Sequence, residues 1–290
     1  MSAQRKGGIE IGRYRLDILN AGDFWLDGGA MFGIVPKTMW SRRITADEKN
    51  RIPMTARCLL LRDEHHCILI DAGAGDKEDA RFADRYGISF PQGRLEEQLI
   101  SLGVSAKEVT HIMLTHLHFD HVGGCTKRYE DGSISLVFQN AVHMVQREHW
   151  EWALSKPSRE EASFLDENLL PILRSGRLQL LEGSETGLSE IASSVFYGHT
   201  KAMQGFWVGV PGNGFFYAAD LIPTQHHLRP LWNMGYDIEP LRTPGEKEEV
   251  MSRAHHQGFD VVFEHDRDVI ACGVDRGVKG WEWMAPKSVT

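Results

Sequence analysis

The chain has 290 residues, 42% of them hydrophobic, which suits one large α/β domain or two small ones and supplies apolar side chain for a substantial core. Its 40 acidic and 32 basic residues give a formal charge of -8, which leaves no basic footprint for a polyanion and excludes nucleic acid as a partner class. Met1 to Gly8 carry a little positive charge with no apolar stretch behind them, and no segment is long enough to span a bilayer, so a cytoplasmic protein without membrane contact is expected.

In chain order, short apolar runs predict strands at 14–18, 58–61 and 67–70, and helical periodicity follows at 94–102. A strand at 111–114 leads into the polar motif described below. A strand at 142–145 then precedes helices at 147–154 and 160–173, and strands at 206–210 and 215–218 precede a helix at 244–257 and a strand at 261–263. Ser105-Ala106-Lys107-Glu108 has the spacing of a short capping box. Thr243-Pro244-Gly245-Glu246 repeats it with proline at the first helical position. No repeat, low-complexity stretch or long Pro/Gly/Ser linker divides the chain. Residues 1–290 therefore read as a single domain in which sheets pack together under helices. Cys58, Cys67, Cys125 and Cys272 form no CxxC pair and offer neither a disulfide framework nor a thiolate metal site. Cys125, four residues past His121, reads as a packing residue.

The chemistry is concentrated after the fourth strand-like run, Ile112-Met113-Leu114. His116-Leu117-His118-Phe119-Asp120-His121 places three imidazoles and a carboxylate within six positions. Imidazole with carboxylate oxygen suits Zn²⁺ and its first-row neighbours, whereas four thiolates would indicate structural zinc and an all-oxygen set Mg²⁺ or Ca²⁺. In extended backbone His116 and His118 point the same way, and Asp120 and His121 follow as the chain turns towards Gly123-Gly124, within reach of a second ion. Further ligands are expected at later strand ends. His199 follows Val195-Phe196-Tyr197-Gly198, Asp220 ends the run from Phe215 to Ala219, and His265 ends the run from Val261 to Glu264.

With these residues in place the chain resembles the metallo-β-lactamase superfamily of hydrolases, through the HxHxDH motif, the preceding Leu69-Ile70-Asp71-Ala72-Gly73, and His199, Asp220 and His265 in family order. The resemblance implies a four-layer αββα sandwich of the α/β class with two Zn²⁺ per chain at one edge, or other first-row divalent ions on the same donors. It implies one ion on His116, His118 and His199, the other on Asp120, His121 and His265, and Asp220 bridging them. Asp71 would support a ligand or fix its loop. The stretch from Leu26 to Lys37 and Ala219-Asp220-Leu221-Ile222-Pro223-Thr224 are similar to the YtnP-type quorum-quenching lactonases, and His227 and Pro230-Leu231-Trp232 continue the likeness. Two positions depart from the pattern of related lactonases. No glycine-histidine follows His199-Thr200, and Pro223 stands where better-studied acyl-homoserine lactonases carry a tyrosine.

Two ions bridged by a carboxylate lower the pKa of water from about 15.7 to roughly 7 and hold a hydroxide that attacks a carbonyl polarised by the same ions. The expected activity is opening of lactone rings, N-acyl-homoserine lactones first, with Asp120 and Asp220 as catalytic residues and Asp120 helping to pass a proton to the leaving alkoxide. The alternative is an aryl esterase or organophosphate hydrolase on the same metals; a silent scaffold would need no metal. The apolar segment from Phe24 to Trp40, read as a glycine-containing loop, is expected to line an acyl-chain pocket, or to pack on the core or a second subunit, the last option making a homodimer. Trp232 and Tyr236 are candidates for the other wall or the core, and His227 for supporting a ligand. His226 reads as a loop residue and His65-His66 as a turn. His111, His143 and His149 read as ordinary strand or helix positions, and His255-His256 as solvated helix.

Overall fold

The computed structural model describes residues 8–278 and 280–289. The chain begins with β1 (Ile9–Ile11) and β2 (Tyr14–Asp27), short helices α1 (Gly28–Phe32) and α2 (Lys37–Trp40), then β3 (Arg51–Arg62) and β4 (Cys67–Ile70). Helices α3 (Ala80–Tyr86) and α4 (Leu95–Ser101) lead to β5 (His111–Met113), a single turn α5 (Phe119–Val122), and a ribbon of β6 (Thr126–Arg128) and β7 (Ile134–Leu136). Next come β8 (Val142–Gln146), α6 (Arg147–Leu154), α7 (Asp166–Arg174) and β9 (Leu178–Leu181). The last part holds β10 (Ile191–Phe196), β11 (Met203–Val210), β12 (Asn213–Tyr217), α8 (Thr243–Gln257), β13 (Asp260–Val262), β14 (Ala271–Gly277) and β15 (Gly280–Met284).

The pleat sorts side chains between layers. In β3, Leu59 and Leu61 join one core with Phe206, Val208 and Phe215 of the other sheet, while Cys58 and Leu60 join a second core with Leu99 of α4 and Trp150 of α6. The first core thus lies between a seven-stranded sheet, β1-β2-β3-β4-β5-β8-β9, and a six-stranded sheet, β10-β11-β12-β13-β14-β15. Helices α4, α6 and α7 cover the first sheet and α8 packs on β13 and β14, which completes the αββα order. Strands buried on both faces read as near-continuous apolar runs. That is why the sequence marks them clearly.

Several expectations need adjusting. The first strand continues through Trp25 to Asp27, past an irregularity between Asn20 and Asp23, so the Phe24–Trp40 segment is a strand end and two short helices rather than a loop. The 160–173 helix begins only at Asp166, because residues 158–163 are turns that carry Glu160 to the site. Ser105 and Glu108 bond each other in a turn that no helix follows. At the start of α8 the box does not form: Thr243 donates to Asp237, and Glu246 accepts from the amides of Tyr197 and Gly198. Proline is second in that helix, not first. Among the described residues no helix is long and apolar enough to cross a membrane.

Topology gathers the chemistry at one edge. β4, β5 and β8 run parallel in the first sheet, and β10, β12 and β13 run in one direction in the second. Asp71, the His116–His121 segment, His199, Asp220 and His265 each follow the C-terminal end of one of these strands. Asp71 and Ala219 have positive φ, 54° and 46°, in backbone that L-residues adopt at a cost. The motif turn is locked against the Asp71 loop by Ala72 N–H donating to His121 O at 2.8 Å and Gly124 N–H to Gly73 O at 2.8 Å. A Cβ on Gly124 would lie 2.1 Å from Ala72 O. Gly124→Ala is accordingly expected to lower stability by about 1–3 kcal/mol in a urea titration, and to weaken divalent-ion binding because both loops must separate.

Candidate metal centre

The motif backbone is held before any ligand is considered. Leu117 N–H donates to His149 Nε2 at 2.9 Å, and His149 Nδ1 donates to Lys201 O at 2.7 Å, so one buried imidazole ties the His116–His118 pair to the segment after His199. Burial pushes His149 down to about 3, keeping it neutral and able to accept on one side and donate on the other. Nothing in the sequence separates this histidine from a surface helix position. Its only mark is that it falls on the inward stripe of α6 with Trp150 and Ala153. Gln204 adds a second tie, its amide donating to Leu114 O at 2.8 Å.

Each of the five candidate imidazoles has one nitrogen engaged from outside. His118 Nε2 donates to Glu160 at 3.0 Å, His199 Nδ1 to Asp237 at 3.1 Å, and His265 Nδ1 to Thr55 O at 2.8 Å. His121 Nδ1 donates to Asp71 at 3.1 Å with Glu264 equally near. Thr115 gives its hydroxyl proton to Asp71 at 2.6 Å and so accepts from His116 Nδ1 at 3.1 Å. These bonds place the proton on the outer nitrogen of every ring, which leaves the inner nitrogen a bare lone pair. Burial and His118 act in opposite senses on Glu160, burial raising it and the hydrogen bond from His118 holding it down at about 2. Burial pushes Glu264 up to about 8.

The inner atoms converge in two groups, His116, His118, His199 and Asp220 in one and Asp120, His121 and His265 in the other, with donor atoms in each group within 4.8 Å of one another. His116 Nε2 lies 3.1 Å from His118 Nδ1, and His265 Nε2 lies 3.2 Å from His121 Nε2. Asp220 faces both groups: Oδ2 is 3.1 Å from His199 Nε2, and Oδ1 is 3.0 Å from His265 Nε2. Asp120 Oδ2 is 3.8 Å from His265 Nε2 and 3.9 Å from His121 Nε2. Lone pairs and carboxylates packed this closely, all buried, repel unless cations lie among them. The donor set therefore fits two divalent ions. The structure thus brings together all seven residues singled out from the sequence.

Above this floor opens a cleft of about 300 Å³, which Leu26, Met31, Tyr86, Phe119 and Tyr236 help to line. The early apolar segment divides between two tasks. Leu26 and Met31 face the cleft, while Phe24 packs edge-on to His265 at 5.2 Å and Phe32 and Trp40 stack in the core of the same chain. Trp232 is core, edge-on to Phe32 at 5.6 Å. Cys125 is buried in the core and outside both ligand groups. His227 does not support a ligand. It bonds Met31 O at 2.8 Å and Thr224 at 2.8 Å and stacks on Phe32 at 4.9 Å, fixing the early segment instead. Asp71 both supports His121 and holds its own loop through Thr115.

A family model of the metallo-beta-lactamase superfamily matches residues 51–257, and the chain belongs to that superfamily. The N-acyl homoserine lactonase AttM of Azorhizobium caulinodans is 26% identical over 179 residues, covering 59% of this chain and 63% of the relative. This chain thus spans less than two thirds of that relative's length. A solved structure described as a "probable metal-dependent hydrolase from Staphylococcus aureus" superposes with a TM-score of 0.85 at 27% identity, over 97% of this chain and 100% of that one. AidC, described as a dizinc quorum-quenching lactonase, shares the fold with a TM-score of 0.76 at 22% identity, over 96% of each chain.

Two outcomes follow from the site's supports. Glu160→Ala removes the acceptor that orients His118, and competition with a chromophoric chelator is expected to show divalent-ion affinity reduced by about 10–100-fold with the far-UV spectrum unchanged. His227 is held by burial at about 3, below the ordinary value of 6.5, so as pH falls between these values the unfolded chain takes up a proton that the folded chain refuses. Stability present at neutral pH is lost in that window. His227→Phe should show a smaller fall in urea midpoint between pH 7 and pH 4.5 than the parent chain.

Proposed function

We propose that this chain is a dinuclear zinc hydrolase that opens lactone rings, with N-acyl-homoserine lactones the first substrates to consider. The observation that carries the reading is Asp220, whose two oxygens face two separate histidine groups at the floor of a cleft of mixed polar and apolar walls, sized for a small molecule. His116, His118 and His199 would hold one ion and Asp120, His121 and His265 the other, with Asp220 shared. Imidazole and carboxylate donors suit Zn²⁺ among the first-row ions. When bound, such ions bring the pKa of water to roughly 7 and polarise an ester carbonyl.

The protein's own groups supply the remainder. Asp120 has no hydrogen bond to another described residue and faces the cleft, so a carboxylate oxygen is free to take the proton released by the attacking water and return it to the leaving oxygen. Glu160, Asp237, Asp71, Thr115 and the carbonyl of Thr55 keep the rings in register, which limits reorganisation as charge develops. Leu26, Met31 and Phe119 offer apolar surface to an acyl chain and keep water from it. Lactonases among the relatives and fold neighbours support this substrate class. Because both sheets contribute ligands, we take the chain to work as one domain.

Ring opening of a medium-chain N-acyl-homoserine lactone by zinc-loaded protein, followed by proton release, is expected to be efficient and to fall to background in Asp220→Ala. Elemental analysis should give two ions per parent chain. Turnover of aryl or phosphate esters with none on lactones would transfer the reading to an esterase or organophosphate hydrolase.

A further inference from the structure

The cleft wall carries polar groups outside the ligand set, Tyr86, Ser163 and Tyr236 among them, and Tyr236 is the one best placed to meet a ligand. Tyr236 lines the cleft together with His118, Asp120, His199, Asp220 and His265. Its hydroxyl has no hydrogen-bond partner among the described residues. The residue is 39% exposed, enough to meet a ligand.

The backbone that carries Tyr236 is held on every side. Lys247, buried in α8, donates to Trp232 O at 2.8 Å and Asn233 Oδ1 at 3.3 Å. Gly235 N–H donates to Ala30 O at 2.7 Å, and Arg159 donates to Gly235 O at 2.6 Å. Directly after Tyr236, Asp237 accepts from His199 Nδ1, and Ile238 N–H donates to His199 O at 3.1 Å. The position of the phenol is therefore coupled to a ligand of the proposed centre. An unpaired hydroxyl on so fixed a segment is a prepared donor.

We propose that Tyr236 donates a hydrogen bond to the oxygen that leaves when the ester or lactone bond breaks. The inference rests on the hydrolase reading above. In that reaction the acyl carbon–oxygen bond breaks, the hydroxyl of water joins the acyl carbon, and the other proton of water ends on the leaving oxygen. Tyr236 stabilises that oxygen while it bears charge and keeps its own proton throughout. Burial, followed by the nearby Tyr86, Asp120, Asp27 and Asp220, pushes the phenol above its ordinary value, so it remains a donor across the working range. The two ions would serve the carbonyl oxygen and the attacking water; the leaving oxygen is the third site of charge and needs an uncharged donor from the wall. Tyr86 is less suited, since its ring is packed at 4.7 Å from Phe119 and 4.8 Å from Phe82.

The test compares zinc-loaded parent, Tyr236→Phe and Tyr86→Phe on an acyl-homoserine lactone and on esters of one acyl group with ethyl, phenyl and 4-nitrophenyl leaving groups. For Tyr236→Phe, kcat/KM is expected to fall about 10²-fold on the lactone and ethyl ester and less than about threefold on the 4-nitrophenyl ester, whose leaving oxygen needs little help, with metal content unchanged. An equal loss across the series, no loss, loss of metal, or the same leaving-group dependence in Tyr86→Phe overturns the proposal. Turnover of esters without lactones overturns the lactonase reading alone and leaves the Tyr236 comparison intact. No turnover of any substrate by the parent overturns both.

Discussion

Five imidazoles are compelled to present bare nitrogens to the same small volume. Each ring has its proton fixed on the outer nitrogen by a carboxylate, a hydroxyl or a carbonyl, and each outer partner is itself buried. Converging lone pairs in dry surroundings are unfavourable on their own. The fold tolerates them because it supplies two carboxylates among them and room for positive charge. The acceptors around the site, the ties to the motif backbone and the strained turns at Asp71 and Ala219 all serve to keep that convergence.

The supports come from unexpectedly distant parts of the chain. β3 forms a seam between the sheets: Thr55 O accepts from His265, Arg57 donates through its guanidinium to Phe263 O and Asp266 O, and Arg57 N–H donates to Glu264 O. A buried guanidinium is costly unless its donors are used, and here they bracket the residue that must not move. At the other side α8 begins by holding the His199 segment through Thr243 and Glu246, so a helix start also serves as a clamp on a candidate ligand.

Much of this was legible in the sequence where local chemistry decides the outcome. Interior strands announce themselves because Cys58 to Leu61 and Cys67 to Ile70 are apolar on both faces, and the density of His and Asp after β5 has few other uses. What remained illegible depends on tertiary proximity. His149 looks like any helical histidine until Leu117 and Lys201 are placed beside it. Glu160 looks like the start of a helix until His118 and Trp152 claim its two oxygens. The capping-box spacing at Thr243 locates a helix correctly but assigns its side chains to the wrong partners, because Asp237 and the Gly198 amide compete for them. The edge strands β1 and β15, and the exposed end of β14 beside β15, have short or half-exposed patterns that periodicity does not resolve.

The contribution of donors from both sheets has a consequence for the life of the protein. His116 to His121 hang from the first sheet, and His199, Asp220 and His265 from the second, so ions held there would act as a rivet across the open edge of the sandwich. Folding and ion capture then become one linked equilibrium. Newly made chains short of such ions would breathe at that edge and present it to proteases, whereas loaded chains would be spared. The abundance of the chain would thereby follow the supply of such ions without any dedicated regulator.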